Sequence, residues 1–359
     1  MGTKHFLPAA LVALGWTASG FAQTSVPPTP KATQAPRPGA LETYKDWTIG
    51  CDNRNRCEAV SLLAEGSDWP DSPIMVGVVR DAGPDTDAEV WVSRDSKDGG
   101  ELGFHVDGRR IAIAMSRDGD ATVRGPQASA LAIAMARGGV LEIKAGKKSL
   151  GRPSLAGSGA ALRYMDARQG RAGTSTALVA TGALGPIAVR AAPVAPAIRR
   201  APLPTGGTPA SLWREELTAI GKFTGCTEEM KGTQTPELHR LSRTETLILV
   251  PCGTGAYNAT SIAVIATGVA GRRTFRLAGF DYKPGWSEEE SKPMLVNAGW
   301  TPDKLRLDSY AKGRGIGDCG GSEAYVWDGT RFRLIAATSM GECRGAWHWI
   351  GTWSAQVTE

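Results

Sequence analysis

The first half of the chain is a series of short apolar or alternating runs separated by glycine, proline and aspartate. Residues 74–80 are apolar and end at a turn that contains Pro84. In residues 88–93, Val90 and Val92 face one side and Trp91 the other, which is the period of two expected for a strand. Similar runs occupy residues 111–115 and 140–144. Many short strands with glycine-rich turns are typical of a sandwich or barrel-like sheet, so the pattern predicts a mainly β fold.

Helical periodicity is rarer in this half. Residues 158–169 repeat apolar side chains at helical spacing, and Gly170 can end that helix. Arg163 and Asp166, three positions apart on the predicted helix, are expected to form a surface ion pair. Residues 131–136 fit a strand or a helix equally well, because periodicity does not separate the two for so short a run.

The second half repeats the β pattern after one short helix. That helix is predicted over residues 212–220, with Ser211 as its N-cap. Residues 244–250 and 261–267 read as strands, and residues 324–334 as a hairpin turning at Asp-Gly. This half also contains seven tryptophans, which suit the core of a small sheet: Trp213, Trp286, Trp300, Trp327, Trp347, Trp349 and Trp353.

Two proline-rich stretches suggest how the chain is divided. Residues 23–40 contain five prolines and residues 186–210 contain six. Proline blocks both helices and strand ladders, so these stretches are predicted to be extended spacers. A chain of 359 residues exceeds one comfortable core. We therefore expect two β-rich domains, residues 41–185 and 211–359, joined by a Pro/Ala-rich linker at residues 186–210.

The first 22 residues have the three parts of an export signal. A basic start at Lys4 precedes an apolar run at residues 7–16, and Gly20 and Ala22 place small residues before a cleavage site. The apolar run is shorter than the roughly 20 residues that a membrane span needs. Residues 1–22 are thus predicted to be a signal peptide and the protein to be periplasmic rather than fully secreted, with no membrane span.

Charge adds little to this picture. The formal net charge is +5, which is small for the length. Acidic and basic residues are interspersed, and no basic run is long enough to indicate nucleic-acid binding.

Six cysteines fit the oxidising compartment that the leader predicts. Six cysteines allow 15 connectivities, and sequential pairing is the simplest. The expected pairs are Cys51 with Cys57, Cys226 with Cys252, and Cys319 with Cys343. The alternatives are a metal site or a redox-active pair. Neither the short ligand spacing of a zinc site nor a C-x-x-C motif occurs, so we expect structural disulfides and no metal or cofactor.

Several short sequence motifs follow one another along the chain. They include Lys45-Asp46-Trp47, Cys51-Asp52-Asn53, Arg80-Asp81-Ala82-Gly83-Pro84, Gln169-Gly170-Arg171, Gly255-Ala256-Tyr257-Asn258, Lys312-Gly313-Arg314-Gly315, Gly317-Asp318-Cys319-Gly320 and Glu342-Cys343-Arg344-Gly345. Together they resemble a bacterial family known as domain of unknown function 1176. The resemblance implies an exported envelope protein of two parts and carries no catalytic residue. The first domain, with its Trp-then-Cys pattern, also resembles the invasion-associated locus B proteins.

Residues 312–321 are the clearest candidate site. Five glycines let the backbone approach a partner closely, and Lys312 and Arg314 add positive charge. Free N–H groups at Gly315 and Gly317 can form an anion-binding nest, and a Cys319–Cys343 disulfide would bring Arg344 to the same patch. The alternative is a tight loop whose glycines only permit positive φ angles.

Histidine offers little for catalysis. A Ser-His-Asp site needs a histidine base with an orienting carboxylate, and the candidates after the leader are His105, His239 and His348. Each is more typical of a surface or structural histidine.

Alternation along a strand would place three tryptophans, Trp347, Trp349 and Trp353, on one face. That face could fill a core or form a platform on which sugars stack.

These observations predict a non-catalytic binding or envelope-maintenance protein. Its expected partner is another envelope protein, or an anionic glycan held by residues 312–320 with Arg344. One alternative is a hydrolase of cell-wall or extracellular substrates, which would need a histidine near a serine and a carboxylate in a pocket. Another is an inhibitor of a foreign wall-degrading enzyme, which an exposed rigid loop with an acidic tip would favour.

Overall fold

The computed structural model describes residues 1–3, 35–67, 69–70, 73–227, 234–285 and 292–359. Residues 35–359 form one contiguous unit. Most of the predicted signal peptide, part of the proline-rich segment 23–40 and Trp286 lie outside the described residues. No helix among the described residues is both long and apolar enough to cross a membrane.

Two antiparallel sheets and two helices make up the first half of this unit. The strands are β1 (Leu41–Tyr44), β2 (Trp47–Cys51), β3 (Cys57–Ser61), β4 (Ile74–Arg80), β5 (Ala88–Arg94), β6 (Gly100–Val106), β7 (Arg109–Ser116), β8 (Ala121–Val123), β9 (Leu141–Ala145) and β10 (Lys148–Gly151); the helices are α1 (Pro126–Arg137) and α2 (Ser158–Arg168). The strand orders are β1-β2-β3-β4-β5-β8 and β10-β9-β6-β7.

Both sheets and both helices bury side chains in one shared core. Val90 from the first sheet and Phe104 from the second lie in it with Leu131 and Met135 of α1 and Met165 of α2. This packing resolves the ambiguity at residues 131–136, which are helical because every third or fourth side chain meets the core. Strands β2 and β3 are buried along their whole length, so they lack the alternation of a strand with one wet face.

The described residues of the second half form two larger sheets, one two-stranded sheet and one α-helix. Its elements are β11 (Ala197–Arg199), α3 (Arg214–Thr224), β12 (Glu237–Arg240), β13 (Glu245–Thr254), β14 (Ala259–Thr267), β15 (Thr274–Leu277), β16 (Met294–Val296), β17 (Gly299–Thr301), β18 (Arg306–Lys312), β19 (Gly320–Trp327), β20 (Phe332–Met340), β21 (Ile350–Ser354) and β22 (Gln356–Thr358). One sheet has the order β12-β13-β14-β15, with β16 also on β14, and the other runs β17-β18-β19-β20-β21. The prediction of a mainly β protein is confirmed.

Helix α3 begins later than the sequence predicted. Its N-cap is Trp213 rather than Ser211, and the Glu216 carboxylate accepts the Trp213 N–H at 2.9 Å. An acidic side chain at the third helical position satisfies a free N–H at the start of the helix, and that fixes where it begins.

The sheet that contains β13 and β14 is covered on both faces. Leu247 and Leu249 point into a core shared with the second sheet of this half, which contributes Tyr325 and Trp327. The alternate residues, including Ile248, pack on the other face with α3. Burial on both faces explains the long apolar runs of these two strands.

A third hydrophobic cluster joins the two halves. Its buried members are Val60, Leu62 and Met75 from the first half and Cys319, Met340, Ala346, Trp349 and Ile350 from the second. Polar contacts surround it: Asn53 donates to the Ser354 carbonyl at 3.0 Å, and the Trp347 indole donates to Ser93 Oγ at 3.1 Å. Within segment 186–210, β11 pairs in parallel with β22. The domain boundaries at 185 and 211 stay a prediction.

All six cysteines are paired in sequential order, as predicted. Cys51 and Cys57 face each other across the β2–β3 hairpin with their Cα atoms 4.0 Å apart. Cys226 follows α3 and is bonded to Cys252 of β13, which fixes the helix against its sheet. Cys319 is bonded to Cys343, so the loop after β18 is tied to the segment after β20.

Candidate functional site: a disulfide-held loop

The glycine-rich segment predicted as the candidate site is the connection between β18 and β19. Lys312 pairs with Gly320 at the end of the ladder, and residues 313–319 form the loop between them. The Gly313 N–H donates to the Cys319 carbonyl at 2.8 Å, which closes the loop at its base. The Cys319–Cys343 disulfide lies at the same place. Both ends of the loop are therefore fixed.

A neighbouring turn supports the loop from one side. Asn258 donates to the Lys312 carbonyl at 2.8 Å and accepts the Lys312 N–H at 3.2 Å. The Tyr257 hydroxyl donates to the Gly313 carbonyl at 3.2 Å. Gly317, at φ 72°, donates its N–H to the Arg314 carbonyl at 2.9 Å. That left-handed backbone position favours glycine, so this part of the loop is a tight turn as well as an exposed one.

Arg314 is bound inside its own loop. Its Nε donates to Asp318 Oδ1 at 2.6 Å and its Nη2 to Asp318 Oδ2, while the Gly345 N–H donates to the same carboxylate at 2.8 Å. The Asp318 side chain is 1% exposed. Burial alone would raise the pKa of Asp318, but the hydrogen bonds from Arg314 and Gly345 outweigh burial and lower it. The carboxylate stays ionised and neutralises the guanidinium.

Arg344 points away from this loop and contacts the first half. Its Nη1 donates to the Lys45 carbonyl at 2.8 Å, its Nε to the Leu63 carbonyl at 2.9 Å, and its Nη2 to the Asp46 carboxylate. The Arg344 side chain is 20% exposed and that of Asp46 12%. The guanidinium thus holds the two halves together and faces a carboxylate of this same chain.

The glycines leave room for an exposed apolar side chain. Ile316, between Gly315 and Gly317, is 61% exposed. A methyl group on Gly315 would lie 3.5 Å from the Tyr257 ring, and one on Gly317 would lie 3.6 Å from the Tyr310 hydroxyl. Tyr257 and Tyr310 are 41% and 38% exposed. We call Ile316, Tyr257 and Tyr310 the loop patch.

Sequence reasoning missed the loop patch. The prediction for residues 312–321 rested on the glycines and the basic residues and did not consider Ile316, the one large apolar side chain of this segment. Ile316 stands alone among glycines and charges, and an isolated apolar residue in a fixed loop is the signal that could have identified it. Tyr310 lies flat on Trp349 with ring centroids 4.6 Å apart, which holds that ring in place.

The three histidines lie far apart in the fold. His348 binds the buried Glu58 carboxylate at 3.0 Å across the interface between the halves, and Glu58 also accepts the Trp91 indole N–H at 3.0 Å. His239 lies 3.3 Å from Glu237. His105 lies on β6. Among the described residues, none of these histidines hydrogen-bonds a serine hydroxyl.

Comparison of the sequence with known proteins identifies a family and a relative. The family described as "Protein of unknown function (DUF1176)" matches residues 41–356. The chain belongs to this family. "Uncharacterized protein YpfG" of Escherichia coli (strain K12) is 26% identical over an alignment of 339 positions, and the alignment covers 88% of this chain and 91% of that protein. No solved structure shows a significant match.

The family resemblance inferred from the sequence is confirmed, while the resemblance of the first half to the invasion-associated locus B proteins is not shown. Neither the family description nor the relative names an activity. Any function for this DUF1176 protein must therefore be argued from its own residues.

The predicted face of three tryptophans does not form in this family member. Strand β21 begins at Ile350, so only Trp353 lies on it, and its indole donates to the Leu334 carbonyl at 3.2 Å. Trp347 contacts the first half, and Trp349 is 9% exposed under Tyr310. Alternation failed because the segment before β21 is irregular and follows the disulfide rather than a strand.

The predicted Arg163–Asp166 surface pair is also wrong. Asp166 is fully buried and accepts three backbone N–H groups, those of Leu178, Val179 and Ala180, at 2.8–3.0 Å. The α2 sequence has the right spacing for a surface pair, but the loop after it folds back over that face.

Among the described residues, no group of three or more His, Cys, Asp or Glu side chains is placed to hold a metal.

Proposed function

We propose that this DUF1176 protein is an exported periplasmic protein with a non-catalytic binding role in the cell envelope. Its three disulfides support an oxidising compartment, where such bonds persist. The sequence of residues 1–22 supports export through a cleavable signal.

The observation that carries the binding role is the loop patch on its fixed support. An exposed aliphatic side chain flanked by two tyrosines is the composition of a protein-binding hot spot. The disulfide, the Arg314–Asp318 pair and the bonds from Tyr257 and Asn258 hold the loop before a partner arrives. A preformed loop loses little conformational entropy on binding, so more of the contact energy remains as affinity.

The patch favours a protein partner over an anionic glycan. Arg314 is neutralised by Asp318 and Arg344 by Asp46, so neither guanidinium is left unpaired to meet an anion. Lys312 alone would supply unpaired charge at the loop. The expected partner is another envelope protein with an apolar cleft that accepts Ile316.

The loop also bears on the inhibitor alternative. An acidic tip would favour an inhibitor, but the tip of this loop is Ile316, and the carboxylate of Asp318 is buried. The hydrolase alternative gains no support from His105, His239 and His348, because within the described ranges none of them bonds the serine hydroxyl that such a site needs.

Site-specific photo-crosslinking in cells tests the proposed interface. A benzophenone amino acid is placed at position 316 and, as a matched control, at Val269, another exposed aliphatic residue of the second half at 71% exposure. We expect a single crosslinked protein at 316 that is absent at 269. Ile316→Asp should abolish capture by a crosslinker at 257, whereas Val269→Asp should not.

Equal crosslinking at 316 and 269, or capture that survives Ile316→Asp, would remove the loop patch from consideration. Export is tested separately. The protein recovered from a periplasmic fraction should begin at Gln23, and an intact leader on a cytoplasmic protein would contradict it.

A further inference from the structure

A cavity lies in the second half of the molecule, lined by residues outside the loop patch. It has a volume of about 660 Å³ and lies between residues 203–209 and the elements β12 and β17. That volume falls within the range of about 300–1,000 Å³ that small-molecule sites usually have. Its walls include prolines of the proline-rich segment on one side and Trp300 and His239 on the other.

The aromatic wall is built from stacked rings. The His239 imidazole lies nearly parallel to the Trp300 indole, with centroids 5.5 Å apart and an interplanar angle of 24°. Trp300 is itself fixed by an edge contact with Phe332 at 6.4 Å. Burial lowers the pKa of His239 more strongly than its bond to Glu237 raises it, so the ring is neutral near pH 7. The two rings thus pack on each other as a fixed, uncharged stack.

Polar groups stand at the edges of this wall. The Arg240 guanidinium lines the cavity and also donates to the Gly207 carbonyl at 2.8 Å, which ties the proline-rich segment to β12. Asp303 is exposed on the opposite side and Thr208 lies on the segment itself. One cationic and one anionic side chain balance each other, so the cavity does not select for a charged ligand.

We propose that this cavity binds the neutral ring of a sugar. A pyranose has an apolar C–H face that can lie on the Trp300–His239 wall and a rim of hydroxyls that Arg240, Asp303 and Thr208 can hydrogen-bond. A mostly apolar cavity with a few placed polar groups is the usual form of such a site. The site goes beyond the proposed protein-binding role, because its ligand belongs to a different chemical class.

Trp300 of the sugar site and Ile316 of the loop patch lie near opposite ends of strand β18. Strand β18 begins beside β17, which contains Trp300, and ends at Lys312, where the loop starts. Seven residues of strand span about 20 Å, so a ligand in the cavity does not touch Ile316. Loss of sugar binding would therefore leave the loop patch untouched, and the two proposals can fail separately.

Saturation-transfer NMR on the full mature protein tests the proposal. The probes are cellobiose, maltose and N,N′-diacetylchitobiose as neutral sugars, glucuronic acid as an anion, and a hexaproline peptide. We expect transfer to the ring C–H protons of at least one neutral disaccharide and little to the other two probes. Trp300→Ala should weaken that binding by about ten-fold or more, a loss of about 1.4 kcal/mol or more.

Two further variants keep the test clear of folding effects. Asp303→Ala changes an exposed side chain and should weaken sugar binding several-fold at an unchanged melting temperature. Trp213→Ala removes another exposed tryptophan, at 59% exposure and outside the cavity, and should leave binding unchanged. Absence of transfer to every neutral sugar, or transfer unaffected by both Trp300→Ala and Asp303→Ala, would overturn the proposal. Preferential binding of hexaproline would replace it with a peptide site.

Discussion

The two halves of the molecule stabilise buried charge in different ways. In the first half, Arg171 and Asp166 are fully buried and bind neutral groups. The Arg171 guanidinium donates to Gln169 at 3.2 Å and to Thr176 at 3.1 Å, and its Nη2 to the Gly83 carbonyl. Neutral groups of the fold thus stabilise these two buried ions, whereas Glu58 and Asp46 of the same half pair with His348 and Arg344 at the interface.

In the second half, a carboxylate meets each buried guanidinium. Arg273 lies 3.0 Å from Glu216, with both side chains at most 5% exposed, and Arg333 lies 2.6 Å from Asp281. Burial lowers the pKa of Arg171, whereas the bonds to Asp281 outweigh burial and raise the pKa of Arg333. A buried ion that is stabilised by neutral groups depends on several hydrogen bonds being formed together. A buried ion pair depends on one oppositely charged partner. The first half should therefore be the less tolerant of local change.

Removal of Asp166 should have the largest effect. Asp166→Ala leaves three backbone N–H groups without an acceptor and removes a buried negative charge that, with Asp87, favours the charged form of Arg171. Because each buried N–H left without an acceptor costs about 1–3 kcal/mol, we expect a loss of about 4 kcal/mol in the free energy of unfolding, measured by urea denaturation. Asp308→Ala, which breaks the exposed Arg306 pair of the second half, should cost about 0.5 kcal/mol or less. Equal losses would refute the contrast.

The disulfides should rank by the length of chain they close. Cys319 and Cys343 are 24 residues apart, and Cys51 and Cys57 are 6 apart. Loop-closure entropy then gives about 3.4 kcal/mol for the first bond and about 2.2 kcal/mol for the second. Double alanine variants of each pair, compared in urea, should lose stability in that order. Loss of the Cys319–Cys343 bond should also make the loop patch sensitive to protease, and the reverse order would show that packing outweighs entropy.

Arg344 links the two halves and should come next. Arg344→Ala removes the bonds to Lys45, Leu63 and Asp46, and we expect a loss of about 2 kcal/mol. Cleavage of the proline-rich segment 186–210 by protease should become faster, because the interface opens more often. Arg124→Ala, which breaks an exposed pair inside one half, is the control and should change neither quantity. An unchanged cleavage rate in Arg344→Ala would separate this residue from the interface.

The smallest effect concerns pH. The hydrogen bond to Glu58 raises the pKa of His348 despite opposing burial, so the protonated ring favours the folded state. That contribution is fully present below the ordinary imidazole pKa of about 6.5 and is lost as the pH rises through the raised value. Glu58 stays ionised in this window because its pKa is lowered: burial raises it, but the hydrogen bonds from His348 and Trp91, together with the charges of His348 and Arg56, outweigh burial.

The urea midpoint of the protein, measured at intervals from pH 5.5 to 8.5, should therefore fall relative to that of His348→Gln as the pH increases. His105→Gln is the control and should retain the slope of the unchanged protein. Parallel curves for the unchanged protein and His348→Gln would show that the Glu58 contact contributes nothing to the interface.

Local pattern predicted the strands well. Residues 74–80 were predicted as a strand and are β4, because both ends are set by proline and aspartate turns. The hairpin at Asp328 also formed between β19 and β20 as expected. Sequential pairing of the cysteines followed from closing the shortest loops. These features depend on neighbours in sequence, which is where periodicity and turn chemistry apply.

The partners of charged side chains could not be predicted in this way. Arg344 and Asp46 are 298 positions apart, and no sequence pattern near either residue predicts their contact. Asp166 has a nearby arginine at helical spacing but binds the backbone of a loop that folds back over it. The ion pair of Arg314 was missed for the opposite reason. Its partner Asp318 is close in sequence, within the same glycine-rich segment that was interpreted as an anion-binding nest.

The route of the chain also sets the order in which its parts can assemble. Residues 343–358 supply Arg344, the strand β21 and the partner of β11, and besides pairing with β20 they contact residues 39–63 and 196–200. If the chain enters the periplasm from its amino end, as the proposed export requires, about three hundred residues must follow the first strands before those contacts can form. Folding dominated by such distant pairings is slow, and the waiting chain would expose the apolar surface around Val60 and Met75 to chaperones.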